Sequence, residues 1–154
     1  MRLLPKTSTY ALRAVLYIAS TAKEHKFVPI RQISDDLNIS FHFLTKLFQI
    51  LSQHGLMISY RGPTGGIALA KPANDISLIE IITALEGKDF FDGCILALPN
   101  CGDEAPCPLH EYWGKMRDEL IDMFEKTSLY ELGEKIRNDG LRLLSTVDLE
   151  EKSS

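Results

Sequence analysis

Three cysteines and one histidine lie close together in the second half of the sequence. Cys94, Cys101 and Cys107 are separated by six and five residues, and His110 lies three positions after Cys107. Thiolates bind zinc ions and iron–sulfur clusters, and imidazole serves beside them as a fourth ligand. The spacing therefore predicts a metal site with Cys94, Cys101 and Cys107 as ligands and His110 as a candidate ligand.

The segment that carries the cysteines, residues 88–108, has no helical periodicity and contains two glycines and three prolines. A loop of this length inside a compact domain is usually functional or disordered. Such a loop can wrap around a cluster, and a helix that begins just after it lowers the pKa of nearby thiols. Simple burial of the cysteines is the alternative, but residues 99–106 offer almost no apolar neighbours. An iron–sulfur cluster is preferred over zinc.

Two other uses of the cysteines fit the sequence less well. Three is an odd number, which suits a disulfide framework poorly. A cysteine enzyme would need a base, and His110 is the one evident candidate in a sequence without a glycine-rich nucleophile elbow. The sequence predicts a protein that is not an enzyme.

The elements that position this site begin with three predicted helices. Apolar residues recur at helical spacing over residues 7–21, 30–37 and 41–54, and the last two segments are joined by the short turn 38–40. Ser40 can cap the third helix, and Gly55 ends it. Two helices joined in this way make a helix-turn-helix candidate, whose second helix enters the major groove of DNA.

A β-hairpin follows the predicted recognition helix. Residues 56–61 and 67–70 read as short strands around a turn with three glycines and one proline. A hairpin in this position is the wing of a winged helix, although a surface hairpin that needs glycine for its turn is the alternative. A tip without bulky side chains lets backbone amides approach phosphate, and arginine adds a planar set of donors. The predicted DNA contacts are Ser40, Phe41, His42, Thr45, Lys46, Arg61, Gly62, Pro63, Thr64, Gly65 and Gly66.

The rest of the chain is predicted to be helical on either side of the cysteine loop. Ser77 caps a helix that ends at Gly87, a long amphipathic helix runs from Leu109 to Thr127, and a shorter one follows from Ser128. The predicted fold is mostly α with a small β-hairpin wing, that is, a winged helix-turn-helix plus a long C-terminal dimerisation helix. The predicted parts are a DNA-binding domain (1–87), a metal loop (88–108), dimerisation helices (109–145) and a flexible tail (146–154).

Charge is divided unevenly along the 154 residues. Residues 1–70 carry a net charge of +5 and residues 71–154 carry −9. This asymmetry indicates a basic working surface, with chance clustering of solvated charges as the alternative. No apolar run is long enough for a membrane span or a secretory signal, so we expect a cytoplasmic protein without a membrane partner.

Taken together, these features resemble the Rrf2 family of bacterial winged-helix transcription regulators, in particular its iron–sulfur members. The resemblance is carried by Tyr10-Ala11-Leu12-Arg13-Ala14, Phe43-Leu44-x-x-Leu47, Arg61-Gly62-Pro63-x-Gly65-Gly66, the helix over 81–85 and the three-cysteine loop. These motifs occur in family order across about residues 1–135.

The resemblance implies a homodimer that binds a palindromic operator in double-stranded DNA, with the long helix packed against its counterpart. It implies that Cys94, Cys101 and Cys107 hold the cluster, with His110 at the position of a histidine ligand. Some family members take an acidic ligand from helix one of the partner subunit, but the matching residue here is Thr9. That departure leaves His110 or an exchangeable small ligand as the fourth contact.

The expected function is that of a DNA-binding repressor whose operator affinity is controlled by an iron–sulfur cluster that senses redox state, nitric oxide or iron–sulfur status. A 2Fe–2S cluster is preferred, a 4Fe–4S cluster is an alternative, and zinc is a further one. The alternative function is a DNA-binding regulator with a structural zinc site or no metal, which responds to a small molecule or a protein partner.

Overall fold

A computed structural model describes residues 3–21 and 27–143 of the chain, so the predicted tail at 146–154 lies outside the described residues. The described part is mostly helical with one two-stranded antiparallel sheet, which confirms the predicted fold class. No helix in these two ranges is long and apolar enough to cross a membrane. The elements in chain order are α1 (Lys6–Thr21), α2 (Ile30–Leu37), α3 (Phe41–Gln53), β1 (Met57–Tyr60), β2 (Gly66–Leu69), α4 (Leu78–Glu86), α5 (His110–Lys126) and α6 (Leu129–Asp139).

The helix-turn-helix forms where the sequence predicted it. Asn38 ends α2 in the left-handed conformation at φ 54°, and its backbone N–H donates to the carbonyl of Ser34. The Ser40 hydroxyl then accepts from the Phe43 N–H at 3.4 Å, which caps α3. Leu44, Leu47 and other apolar residues at three- and four-residue spacing are buried against α1 and α2. The opposite side of α3 is therefore left to solvent.

The wing is a hairpin in which Met57 pairs with Leu69 and Tyr60 with Gly66. Val28 extends this sheet by a single bridge to Ile67. The Val28 N–H donates to the Ile67 carbonyl at 2.9 Å, and the Val28 carbonyl accepts from the Ile67 N–H at 2.8 Å. Gly66 has φ +155°, and a Cβ there would lie 2.2 Å from the carbonyl oxygen of Val28. A Cβ on Gly65 would lie 2.2 Å from the carbonyl oxygen of Tyr60. The backbone packs too closely at these two positions to leave room for a Cβ, so both glycines are required for the fold. This requirement is separate from the predicted approach of the wing amides to phosphate.

The C-terminal helices are tied to the winged part of the chain. The Leu78 N–H donates to the carbonyl of Thr127 at 3.1 Å, and the Leu129 N–H donates to the carbonyl of Ile76 at 2.9 Å. These bonds fix the start of α4 to the junction of α5 and α6. Helix α6 then packs on α1, where a Cβ on Gly133 would lie 2.9 Å from the carbonyl oxygen of Ala19.

The last predicted helix ends earlier than its apolar pattern suggests. Gly140 adopts the left-handed conformation at φ 66° and ends α6 at Asp139. Leu143, which falls within the range 109–145 predicted for the dimerisation helices, lies beyond α6 and packs against the core from an irregular segment. Its carbonyl accepts from Arg13 Nε at 3.0 Å, so this segment is held by a tertiary contact.

Glu80 stabilises the start of α4. One of its carboxylate oxygens accepts from the Ser77 N–H at 2.8 Å, and the other bonds Lys71 Nζ at 3.0 Å. Burial raises the pKa of Glu80, but the hydrogen bonds from Ser77 and Lys71 and the charge of Lys71 outweigh it, so the pKa lies below its ordinary 4.5. The stabilisation is therefore full above pH 4.5 and is lost as the pH falls through the lower pKa of the folded protein.

We expect Glu80→Gln to lower the free energy of unfolding by about 1 kcal/mol at neutral pH, because it weakens this cap and removes the charge. The difference from the wild type should shrink in acid, where the wild-type carboxylate is protonated. Urea unfolding curves at neutral and acid pH measure it, with Glu125→Gln on the exposed side of α5 as the control. A difference that is the same at both pH values would contradict this role of Glu80.

Candidate functional site

The three cysteines of the loop between α4 and α5 come together in the structure. Their Sγ atoms all lie within 4.8 Å of one another, and each side chain is half-buried. Cys94 Sγ lies 3.6 Å from Cys107 Sγ, and Cys101 Sγ lies 3.5 Å from His110 Nδ1. His110 is the first residue of α5. The three cysteines that the sequence singled out therefore form one group, and His110 lies beside Cys101.

Local hydrogen bonds shape the loop around this cluster. The Ala97 N–H donates to the carbonyl of Cys94 at 2.9 Å, and the His110 N–H donates to the carbonyl of Cys107 at 3.1 Å. Ala97 and Asn100 both have positive φ, at 58° and 57°, a conformation that costs energy for alanine. The loop thus bends sharply between the first two cysteines, which brings their thiols to the same place.

Two aromatic side chains attach the loop to α5. The Trp113 Nε1–H donates to the carbonyl of Gly93 at 3.1 Å, directly before the first cysteine. Phe91 is buried, and its ring centroid lies 5.9 Å from that of Phe124. The first half of the loop is therefore held against α5 from both ends of the helix.

The surroundings shift the pKa values of two of the thiols in opposite directions. A hydrogen bond from the Leu98 N–H lowers the pKa of Cys94 to about 7, with smaller contributions from the Leu96 N–H and the neighbouring cysteines that together outweigh burial. The Cys107 N–H acts to lower the pKa of Cys101, but burial and the bonds to Cys94 and Cys107 raise it above its ordinary value. Cys94 is thus converted to the thiolate that binds metal more readily than Cys101 is.

Asp103 is a part of this site that the sequence analysis missed. Its Oδ1 accepts from His110 Nε2 at 3.1 Å, while the other ring nitrogen, Nδ1, lies next to Cys101. The two residues are seven positions apart and belong to a loop and a helix. No periodic pattern links such positions. The loop contains other acidic residues, and nothing in the sequence distinguished Asp103 from them as the partner of His110.

The donor set fits a metal ion or a cluster in its chemistry. Three soft sulfur donors and one imidazole suit zinc and iron–sulfur groups; the loop brings the three sulfurs together, and the imidazole lies beside one of them. Within residues 3–21 and 27–143, no other group of three or more such side chains has this arrangement. Packing in a small apolar core explains the meeting of the three cysteines less well, because the apolar residues beside them are exposed, namely Ile95, Leu96 and Leu98.

The residues predicted to contact DNA lie on the surface of α3 and the wing. Ser40, His42 and Lys46 are exposed, and Thr45 is half-buried with its hydroxyl donating to the Phe41 carbonyl at 2.9 Å. Because that bond uses the hydroxyl proton, the Thr45 methyl group and an oxygen lone pair remain available for the predicted contact with DNA. On the wing, Arg61, Gly62, Pro63 and Thr64 are exposed, and Gly65 and Gly66 are half-buried.

A second residue missed by the sequence analysis lies beside the recognition helix. The guanidinium of Arg31, in the first turn of α2, stacks over the Phe41 ring at 4.2 Å from its centroid. Arg31 is exposed and Phe41 half-buried, so the ring supports a positive charge at the start of α3. The sequence offered one usable signal, a basic residue on the polar side of an amphipathic helix within the basic half of the chain.

Comparison with known proteins agrees with this architecture. The sequence model of the Rrf2 family, described as an iron-dependent transcriptional regulator, matches residues 4–135. A candidate HTH-type transcriptional regulator of Neisseria meningitidis serogroup A is 35% identical over 145 residues, which cover 94% of this chain and 96% of the relative. The HTH-type transcriptional regulator IscR of Pectobacterium carotovorum is 34% identical over 132 residues, which cover 86% of this chain and 79% of the relative.

Solved structures show the same fold. CymR, the global cysteine regulator of B. subtilis, superposes with a TM-score of 0.72 at 25% identity and covers 87% of this chain and 98% of its own. IscR of T. potens has a TM-score of 0.72 at 20% identity, with 92% and 93% covered, so that likeness concerns the fold alone. The relatives are named as transcriptional regulators, which confirms the expectation of a regulator and not an enzyme.

Proposed function

The chain belongs to the Rrf2 family of transcriptional regulators, and we propose that it represses transcription by binding a palindromic operator with an affinity set by a metal group on its cysteine loop. The observation that carries this proposal is the cluster of three Sγ atoms within 4.8 Å of one another, with His110 beside them. A regulator does not need a group of three cysteines to bind DNA. The presence of this group next to α5 therefore supports a sensing role for it.

An iron–sulfur cluster is the proposed group, 2Fe–2S in preference to 4Fe–4S. The donor chemistry supports it, as do the iron-dependent description of the family and the relatives named IscR. When bound, such a cluster exchanges electrons and reacts with oxidants and nitric oxide. The protein's part is to hold it through Cys94, Cys101, Cys107 and His110 and to limit its contact with water.

Thr9 supports His110 as the fourth ligand. The Thr9 hydroxyl donates to the carbonyl of Lys6 at 3.0 Å, and the residue offers no carboxylate. His110 instead directs Nδ1 toward Cys101 at 3.5 Å. The nitrogen donor therefore comes from the same subunit as the thiolates.

A continuous set of contacts links the loop to the winged domain. Trp113 holds the loop at Gly93, and α5 runs from there to Thr127, whose carbonyl accepts from the Leu78 N–H. Helix α4, which begins at Leu78, packs against both α1 and α3. Through these contacts a change in how the loop is held would shift α5 relative to α4 and change the distance between two recognition helices, as a ligand-linked shift in population.

DNA recognition falls to α3 and the wing. Lys46, Arg61 and the wing amides bind phosphate, and His42 and Thr45 reach base edges in the major groove. Arg31 adds a further phosphate contact, because the Phe41 ring holds its guanidinium at the exposed start of α3. These contacts release counterions, so the affinity depends strongly on salt.

A second copy of this chain covers an exposed apolar face of α5. Leu109, Tyr112, Met116 and Met123 are spaced by three, four and seven residues, and Tyr112 and Met116 are 72% and 60% exposed. The buried side of the helix, around Phe124, is a different face. An apolar stripe at coiled-coil spacing fits a twin helix, and a dimer is what a palindromic operator requires.

We expect Met116→Lys to shift the protein from dimer to monomer, because it places a charge in the centre of this stripe. Sedimentation equilibrium at several protein concentrations should give a dissociation constant at least about tenfold weaker than the wild type, which corresponds to 1.4 kcal/mol. Glu125→Lys, on the polar face of α5, should leave the dimer intact. A Met116→Lys protein that stays as dimeric as the control would place the interface elsewhere.

The test of the proposed group is anaerobic purification followed by absorption spectroscopy and analysis of iron, sulfide and zinc. We expect visible charge-transfer bands and iron and sulfide in equal amounts, two of each per chain for 2Fe–2S. A colourless protein with stoichiometric zinc, or with no metal, that also assembles no cluster when iron and sulfide are supplied would contradict the cluster.

A further inference from the structure

Two of the separations between donor atoms match edges of a coordination tetrahedron. With a zinc–sulfur distance of about 2.3 Å, two thiolates on one tetrahedral ion lie about 3.8 Å apart, and a thiolate and an imidazole nitrogen lie about 3.5 Å apart. Cys94 Sγ and Cys107 Sγ are separated by 3.6 Å, and Cys101 Sγ and His110 Nδ1 by 3.5 Å. These two pairs each have a separation that suits two ligands on the same tetrahedral ion.

A cluster with more than one iron ion needs thiolate ligands that lie farther apart. Its protein ligands are distributed over different iron ions, so thiolates on separate irons stand farther apart than thiolates that share one ion. All three Sγ atoms here lie within 4.8 Å of one another. The three thiols of the loop between α4 and α5 therefore have a compact arrangement that suits one ion better than ligands shared between two.

Asp103 fixes the imidazole in the form that such an ion needs. A carboxylate only accepts hydrogen bonds, so the 3.1 Å contact between His110 Nε2 and Asp103 Oδ1 places the ring proton on Nε2. In this tautomer the lone pair is on Nδ1, the atom that lies 3.5 Å from Cys101 Sγ. A carboxylate behind a metal-binding histidine orients the ring and strengthens it as a ligand.

We infer that the cluster-free protein binds one Zn²⁺ ion tetrahedrally through Cys94, Cys101, Cys107 and His110 Nδ1, with Asp103 as the positioning residue of the histidine. The inference rests on the metal site of the proposed function but not on the cluster. It gives the regulator a second metal-bound state with a more compact loop. Zinc is the expected ion because nitrogen and sulfur donors bind it more tightly than Fe²⁺.

Cobalt is the spectroscopic probe for this state. Full-length protein freed of cluster by a chelator under reducing, anaerobic conditions is titrated with Co²⁺, and the visible spectrum is recorded. We expect the strong d–d bands of tetrahedral Co²⁺ with thiolate charge transfer, saturation at one ion per chain, and displacement by one equivalent of Zn²⁺. A weak octahedral spectrum, no binding, or saturation at two ions per chain would overturn the inference.

The role of Asp103 has its own variant and control. Asp103→Asn should weaken Zn²⁺ binding about 10- to 100-fold, measured by competition with a chromophoric chelator, while keeping the tetrahedral Co²⁺ spectrum. Asp103→Glu should recover part of the loss, and Glu104→Gln, at the neighbouring exposed acid, should bind as the wild type does. Equal Zn²⁺ affinity in Asp103→Asn and the wild type would overturn the positioning role.

A parallel reconstitution with iron and sulfide separates this inference from the proposed function. If a cluster assembles and controls DNA binding but Co²⁺ shows no tetrahedral spectrum, the zinc state is wrong and the proposed function stands. If Co²⁺ binds tetrahedrally and no cluster assembles, the zinc state stands and the cluster-based function is wrong.

Discussion

Cys107→Ser is expected to give a colourless protein whose DNA affinity no longer responds to the metal group. Cys107 is central to the site, since its Sγ lies 3.6 Å from that of Cys94 and its carbonyl accepts from the His110 N–H at 3.1 Å. A serine hydroxyl is a hard, weakly acidic donor that does not replace a thiolate on iron or zinc. The variant should therefore lose the whole metal-linked change in operator affinity, about 5- to 150-fold for a typical coupling between two sites.

The measurement is fluorescence anisotropy with labelled operator DNA, for protein purified without oxygen and for the same protein after chelation. Ala105→Ser is the matched control, because it adds a hydroxyl to an exposed position of the same loop and removes no sulfur. The control should keep both its colour and its response. A Cys107→Ser protein that remains coloured and responsive would exclude Cys107 as a ligand.

Removing the two predicted phosphate contacts is expected to have the largest effect on DNA binding itself. The double variant Lys46→Ala/Arg61→Ala loses one cation from α3 and one from the wing, both exposed. In a dimer this removes four contacts, and counterion release makes their loss worth on the order of a thousandfold in affinity near physiological salt. The slope of log K against log salt should become less steep by about 4 per dimer.

A salt series of operator titrations measures both quantities. Lys88→Ala/Lys115→Ala is the matched control, since it removes the same charge from exposed positions at the start of the cysteine loop and on α5. It should change the affinity little, which separates local contacts from the effect of net charge. If the two double variants bind equally well, α3 and the wing are not the DNA-binding surface.

The helix ends and the wing are features that the sequence predicts well, because their causes are local. Ser40 caps α3 through a hydroxyl three residues from the amide it binds, and Gly87 ends α4 at a positive φ. Short-range chemistry of this kind is visible in a single sequence. The meeting of Cys94, Cys101 and Cys107 was predicted for a similar reason, since the fourteen residues from Cys94 to Cys107 belong to one loop that can close on itself.

Contacts between distant parts of the chain could not be read in the same way. Gly66 is required by the carbonyl of Val28, and the stacking of Arg31 on Phe41 depends on the angle between two helices. Asp103 and His110 meet only because the loop folds back on the start of α5. Tertiary packing sets each of these contacts, and the sequence alone carries no period or motif for them.

The most direct test of a metal-controlled regulator is the operator affinity of one anaerobic preparation, measured at fixed salt before and after its metal group is removed. The account predicts two dissociation constants that differ by about 5- to 150-fold, with the original value restored when iron and sulfide are returned. Two equal dissociation constants, for a preparation shown by analysis to have lost its metal, would contradict it.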